Sequence, residues 1–408
     1  VARCREAGFA ERSFQALKTH WEHYFEHFHC RVPDENAMTM ANIWNPYQAE
    51  RNFLFSRNLS YYATGTFRGV GFRDTAQDVL SMIPFHTGRA REKLDLLLSQ
   101  QYRDGHTNHY FFPIEGYEPV TRIHSDNHLW VVMAVYALVM EEGQLDYLKR
   151  DIPFYDGEKA SVWEHLKRSI DFVYQNIGTH GLPLMLHSDW NDMLYKVCRE
   201  GRGESVMVAF MLGLALRQMA ELAELMGEEN DYLARYEAMK ETVNRVAWDG
   251  EWYARATMDD GRFLGVKREP MAKIWLNAQT WAVLSGMAPA QRAHQAMDSV
   301  RRYLNTPLGI KKIDPAMADY PTPEDPLTYF RAGKRQIRLG KRELANRHRC
   351  MDVCSLYAVP IRCKTCMGRP FHRAMPSAPM GKHRDHTDFP RLPLPHSSEK
   401  RRKTFYST

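Results

Sequence analysis

Apolar residues recur at helical spacing over most of the first three quarters of the chain. The i, i+3, i+4, i+7 pattern predicts helices over Leu129–Glu142, Val162–Ile177, Glu204–Met226, Tyr232–Val246, Lys273–Met287 and Gln291–Leu304, with another closing at Leu97–Gln101. Period-two alternation is scarce; Glu251–Tyr253 and Arg262–Leu264 are the one short hairpin it predicts. Successive helix pairs joined by polar, aromatic-rich connections suggest an all-α toroid, an inner ring of helices backed by an outer ring. A plain helical bundle would explain the helices. It would not explain loops as long as those expected at Thr64–Asp78 and His106–Asp126, whose length argues for a functional role.

Beyond about Gly333 the periodicity stops. Residues 335–408 mix Pro, His, Arg and Ser around a Lys400-Arg401-Arg402-Lys403 cluster, a composition that predicts disorder. Charge divides at the same place. Of the 55 Lys+Arg and 49 Asp+Glu, residues 331–408 hold 19 and 5, leaving residues 1–330 with 36 and 44. The net charge of +6 therefore averages a mildly acidic body and a strongly basic tail. Four of the seven cysteines (Cys350, Cys354, Cys363, Cys366) also lie in the tail, and the sparse cysteines of the body fit a reducing, cytoplasmic setting.

With 408 residues and 44% apolar content, the body can bury a large core. Its most apolar run, Leu129–Met140, falls short of the roughly 20 residues that cross a bilayer, so no membrane span is expected. The chain opens Val1-Ala2-Arg3-Cys4 without Met or leader, which reads as a fragment rather than a secreted precursor.

Four constellations carry candidate chemistry. The first is Leu186-His187-Ser188-Asp189-Trp190-Asn191-Asp192, two carboxylates three residues apart around an indole and a carboxamide. Sugar chemistry needs such a set: an acid for a glycosidic oxygen, polar groups for hydroxyls and an aromatic face for a ring. Ser188 and Asp189 would equally serve as helix caps. The second is Asn45-Pro46-Tyr47-Gln48, Ser56-Arg57 and Arg68-Gly69-Val70-Gly71-Phe72-Arg73-Asp74-Thr75-Ala76-Gln77-Asp78. Charges at that density are costly to bury unpaired, and the glycines would let backbone approach a ligand; a structural Arg–Asp pair is the plainer alternative. The third runs from Tyr102-Arg103-Asp104-Gly105-His106 through His109 and His124 to Asp126-Asn127-His128-Leu129-Trp130; its histidine spacings fit no standard metal pattern, and no metal is expected. The fourth is Tyr329–Lys334.

Taken in chain order, Asn42-Ile43-Trp44-Asn45-Pro46-Tyr47-Gln48, Ser56-Arg57, Arg68 to Asp74, Asp126 to Trp130 and Asp189 to Asp192 resemble the catalytic domain of glycoside hydrolase family 94, the inverting disaccharide phosphorylases typified by cellobiose phosphorylase. The resemblance covers roughly residues 35–334 and implies an (α/α)6 barrel, with residues 1–34 as a lead-in and the C-terminal end of the barrel incomplete. It implies roles residue by residue: Asp192 as general acid; Arg68, Asp74 and Trp190, with Asp189, on the transferred glucosyl unit; Arg57 on phosphate; Tyr329 and Lys334 on the acceptor sugar. Inorganic phosphate would replace the base-activated water of an inverting hydrolase, so one carboxylic acid suffices and no cofactor is required. Asp192 would need to keep its proton near neutral pH through burial or through a neighbouring carboxylate such as Asp189. The expected activity is phosphorolysis of a β-linked glucosyl disaccharide or oligosaccharide to α-glucose 1-phosphate. The family also admits a homodimer for the longer protein, with neither membrane nor nucleic acid as partner.

After Lys334 the family's Glu-Asn-Gly-Gly and later histidine are missing. Leu339–Asn346, back-translated with permissible codons and shifted one base, reads Trp-Glu-Asn-Gly, which points to a frameshift near residue 335 and leaves the activity of this chain open. The alternatives are an inverting hydrolase on a similar barrel, or a zinc- or nucleic-acid-binding protein acting through the cysteine- and arginine-rich tail.

Overall fold

A computed structural model of the chain describes residues 3–55, 69–112, 121–196, 198–307 and 309–316. Eleven α-helices are assigned among them: α1 (Phe9–Glu26), α2 (Glu35–Thr39), α3 (Asn45–Phe55), α4 (Phe72–Met82), α5 (Thr87–Leu98), α6 (Asn127–Glu142), α7 (Val162–Gln175), α8 (Val206–Met226), α9 (Tyr232–Val246), α10 (Leu276–Leu284) and α11 (Ala290–Ser299). Strands among the described residues occur only in antiparallel pairs of two or three residues each. The chain is thus mostly helical, with the few strands fastening loops. The described residues all fall within one compact unit, Val1–Ile361. The basic tail, and with it its expected disorder and frameshift, lies outside the described residues.

The core is organised around α6 and α8, which are apolar on nearly all of their length, with Arg217, Glu221 and Glu224 forming the exposed edge of α8. Leu129–Val135 on α6 and Val206–Leu212 on α8 are buried throughout, and α8 packs on α6, α7, α9 and α10. Burial of this kind contributes on the order of 25 cal/mol per Å² of apolar surface. Sequence patterning located these helices to within a few residues because their hydrophobic runs are long. The expectation that no segment could span a bilayer needs correction: α8 has the length and apolarity to do so, with mean hydropathy 1.5 over an 18-residue window. That window is 89% buried, so its composition reflects a place in the centre of the core.

Two departures have simple causes. Residues 72–78, expected in a loop, form the first two turns of α4; Arg73, Asp74 and Asp78 interrupt its apolar stripe of Phe72, Ala76, Val79, Leu80 and Met82. The predicted hairpin exists, but Phe263–Leu264 pairs with Ala256–Thr257, a few residues later than expected. Helix ends follow capping chemistry. Ser161 opens a Ser-x-x-Glu box, its hydroxyl accepting from the Glu164 amide at 3.2 Å. Ser205 accepts from the Val208 amide at 3.1 Å to start α8.

Candidate active site

The 186–192 segment is fastened to residues 123–125 before it reaches Asp192. The Ser125 amide donates to the Ser188 carbonyl (2.9 Å) and the His187 amide to the Ile123 carbonyl (3.1 Å). Leu186 enters this arrangement in the left-handed region, φ 55°. Beyond it, the Asn191 amide donates to Asp189 Oδ1 (2.9 Å) and the Ser188 hydroxyl to the Asn191 carbonyl (2.9 Å), a tight Asx-type turn. Asp192 follows as the first residue of a short 3-10 turn, its side chain 60% exposed.

Arg73 is the centre of the charge cluster. It extends from the first turn of α4, its side chain 6% exposed. Nη2 donates to Asp192 Oδ1 at 2.9 Å and Nη1 to the Asp189 carbonyl at 3.2 Å. The same guanidinium lies 3.7 Å from Asp126 Oδ1 and 3.9 Å from Asp74 Oδ1. Burial opposes the Arg73 charge, but Asp126, Asp192 and Asp74 outweigh it and push its pKa upward.

Asp126 sits at the start of α6 without capping it. Its Oδ2 instead accepts from the Trp130 indole N–H at 2.9 Å, one turn along the helix. Burial pushes its carboxyl from 3.8 up to about 6, with Asp189 and Asp192 acting in the same direction and Arg73 and Trp130 against it. A carboxyl raised in the folded state binds more protons than it does unfolded, so its contribution to stability declines as pH rises from about 4 to about 6 and is flat above. Asp126→Asn removes that dependence. Urea denaturation at pH 4 and pH 7 should show the variant gaining on the native chain by about 2 kcal/mol across the interval. An equal stability difference at both pH values would contradict the assignment.

Three histidines line the same region. His124 stacks on His109 at 3.8 Å between centroids, and His187 lies 5.3 Å from His124. His124 Nε2 is 3.6 Å from Asp192 Oδ1; burial, then His109 and Arg73, push His124 down to about 2, leaving it a neutral imidazole. His109, His124 and Asp192 bring donor atoms within 4.8 Å of one another, as a metal site would. Arg73 already donates to Oδ1 of that carboxylate at 2.9 Å, which places a guanidinium charge beside any cation bound there. His106 and His128 belong elsewhere: His106 stacks on Tyr102 (4.0 Å), and His128 is buried against Phe172 (4.5 Å).

Several of the expected roles change once these residues are placed. Asp189, expected on the sugar, is fully buried. Its Oδ1 accepts from Arg255 Nη2 (2.6 Å) and its Oδ2 from the Ser205 hydroxyl (2.7 Å), so it faces the core. Neither burial nor adjacency to Asp189's carboxylate describes Asp192, which points outward onto Arg73. The close approach at Gly69 and Gly71 is to protein: a Cβ at Gly69 would meet the Phe111 carbonyl at 2.8 Å, and one at Gly71 the Asp74 carboxylate at 2.9 Å. Trp190 is half-buried, with the Lys312 ammonium 4.2 Å from its ring centroid. Asn45–Gln48 lies on α3, where Tyr47 packs against Trp21 at 5.0 Å. Arg57, Arg68, Tyr329 and Lys334 lie outside the described residues. Asp74 lies 3.9 Å from Arg73, whereas Trp190, two residues before Asp192, packs against the main core.

Sequence reasoning missed Arg73, Asp126, Arg255 and Lys312 as site residues. Arg73 and Asp126 stood in quoted motifs. Arg255 had a signal of its own, a lone charge in the run Trp252-Tyr253-Ala254-Arg255-Ala256, which must find a partner if it is buried.

The sequence profile of the glycosyl hydrolase 94 superfamily catalytic domain matches residues 20–337. The chain belongs to this family. Among relatives, an N,N'-diacetylchitobiose phosphorylase of Vibrio proteolyticus is 32% identical over 349 residues, covering 78% of this chain and 43% of the relative. A solabiose phosphorylase of Paenibacillus borealis is 35% identical over 273 residues, covering 66% and 35%. The chain spans less than half the length of these relatives. Among solved structures, an uncharacterised conserved protein of Thermus thermophilus superposes with TM-score 0.50 at 15% identity, covering 67% of this chain and 80% of that one. For the family member described here, that likeness speaks to fold alone.

Proposed function

We propose that the chain forms the core of an inverting phosphorylase acting on a β-linked disaccharide, built on an incomplete (α/α)6 barrel. The observation that carries this reading is the Arg73–Asp192 pair, in which one exposed carboxyl group is aimed and oriented by a buried cation at 2.9 Å. The phosphorylase names of the family relatives agree with it.

In the proposed reaction, an oxygen of inorganic phosphate attacks the anomeric carbon from the face opposite the aglycone. The glycosidic C–O bond breaks, and Asp192, which must be protonated and released from Arg73 once substrate is bound, delivers its proton to the departing oxygen. The products are an α-glycosyl phosphate and a free acceptor sugar; the proton that phosphate loses on forming the ester restores Asp192, so atoms and charge balance. Asp74 and Trp190 would hold the transferred sugar through hydroxyl hydrogen bonds and ring contact. Arg57 would bind phosphate, Arg68 the transferred sugar, and Tyr329 and Lys334 the acceptor. Alignment of the two reactants supplies a large part of the rate in such a displacement.

Incubating the 408-residue chain with a panel of β-linked disaccharides, with and without phosphate, tests this. Sugar 1-phosphate should form only when phosphate is present, as the α anomer. Free monosaccharides released equally in the absence of phosphate would favour the inverting-hydrolase alternative.

A further inference from the structure

Asp189, Trp190, Asn191 and Asp192 differ in exposure, with Trp190 at the edge of the core and Asp192 outward. Asp189 and Asn191 are 0% and 7% exposed and face the core, whereas Trp190 is half-buried and the Asp192 side chain is 60% exposed. The two inward residues meet the same group. Arg255 Nη2 donates to Asp189 Oδ1 (2.6 Å) and to Asn191 Oδ1 (2.8 Å), and Asn277 Nδ2 donates to Asn191 Oδ1 at 2.7 Å. Arg255 is itself fully buried, with its guanidinium 5.4 Å from the Trp275 ring centroid.

Its mount is rigid. The Arg255 amide donates to the Leu264 carbonyl (2.8 Å), and its carbonyl accepts from the Val206 amide at the start of α8 (3.3 Å). Ser205, the cap of that helix, donates to Asp189 Oδ2 at 2.7 Å. Both oxygens of Asp189 and the side-chain oxygen of Asn191 are therefore held by groups seated on the core.

We infer that Arg255 is the positioning residue of this site, clamping Asp189 and Asn191 from behind so that Asp192 is presented outward in one fixed orientation. A buried charge pair at this depth is a poor source of stability but a strong determinant of geometry. Arg255 has no route to substrate, so it acts through Asp192. The catalytic consequence rests on the phosphorylase reading; the structural consequence does not.

The test combines local amide hydrogen exchange with kinetics on the full chain. Arg255→Met should raise exchange of residues 187–192 about tenfold, while the centre of α8 stays at its native rate. In the phosphorolysis assay its kcat should fall about 100-fold, with KM for phosphate within about threefold of native, as misplacement of a reacting group predicts. Arg255→Lys, which keeps the charge, should recover part of both. If Arg255→Met does not fold, Asn277→Ala decides, since it removes one bond to Asn191 and should raise exchange of the same segment about threefold. Exchange of 187–192 unchanged in a folded variant overturns the clamp. A native chain without phosphorolysis, but with exchange responding as stated, would reject the functional reading and leave the clamp standing.

Discussion

Asp192→Asn should lower phosphorolysis by about 10³-fold, within the roughly 10²–10⁴ range that a general acid contributes. The substitution keeps the size of the side chain and an oxygen able to accept from Arg73, and it sits on a side chain 60% exposed, so the fold should be undisturbed. What it removes is the transferable proton. The deficit should therefore depend on the leaving group. With a dinitrophenyl β-glycoside, whose phenolate departs without protonation, the loss relative to native should shrink to about tenfold. Initial rates of sugar phosphate formation on both substrates, at saturating phosphate, measure the two numbers. A variant equally crippled on both would place Asp192 in binding, and one that kept near-native rates on the disaccharide would move the acid elsewhere.

The largest effect on stability is expected at Asp189. Asp189→Ala strands the Arg255 guanidinium, fully buried, with the Asn191 side-chain amide oxygen and a long contact to Ser205 as its remaining hydrogen-bond partners. Breaking a buried pair from one side costs about 3–5 kcal/mol, most of it the penalty of the orphaned charge. The double variant Asp189→Leu/Arg255→Met removes both charges and should recover most of that loss. It should not recover turnover, because the clamp goes with the pair. Urea denaturation of the single and double variants, read beside kcat, separates the two consequences. Recovery of stability and turnover together would mean that the pair contributes only to folding.

How much of this was legible in the sequence depended on which periodicity each residue obeyed. The long helices α6 and α8 could be read because apolar residues dominate them, and α9 because Tyr232, Tyr236, Met239 and Val243 recur at helical spacing. Helix α4 was lost to the same method, since Arg73, Asp74 and Asp78 sit on a helix that is nonetheless nearly all buried. Their charges are tolerated through tertiary partners, Asp192 and Asp126 among them for Arg73, which no local window contains. The general-acid candidate was visible through its neighbours in the motif, but the direction of each side chain was not. Asp189 and Asp192 look alike as letters. One faces Arg255, 66 residues downstream, and the other Arg73, 119 residues upstream. The histidines were separable only after folding, because His109 and His124 gather near Asp192 while His128 is buried against Phe172.

The inward and outward division of residues 189 to 192 also bears on how such an enzyme could change its diet. Asp189 and Asn191 answer to the core and Asp192 to the solvent side, and neither can drift without disturbing the other. New sugar preferences would then have to be tried out in the surrounding loops, whose residues owe nothing to the interior. A scaffold of this kind can alter what it cleaves while leaving untouched the device by which it cleaves.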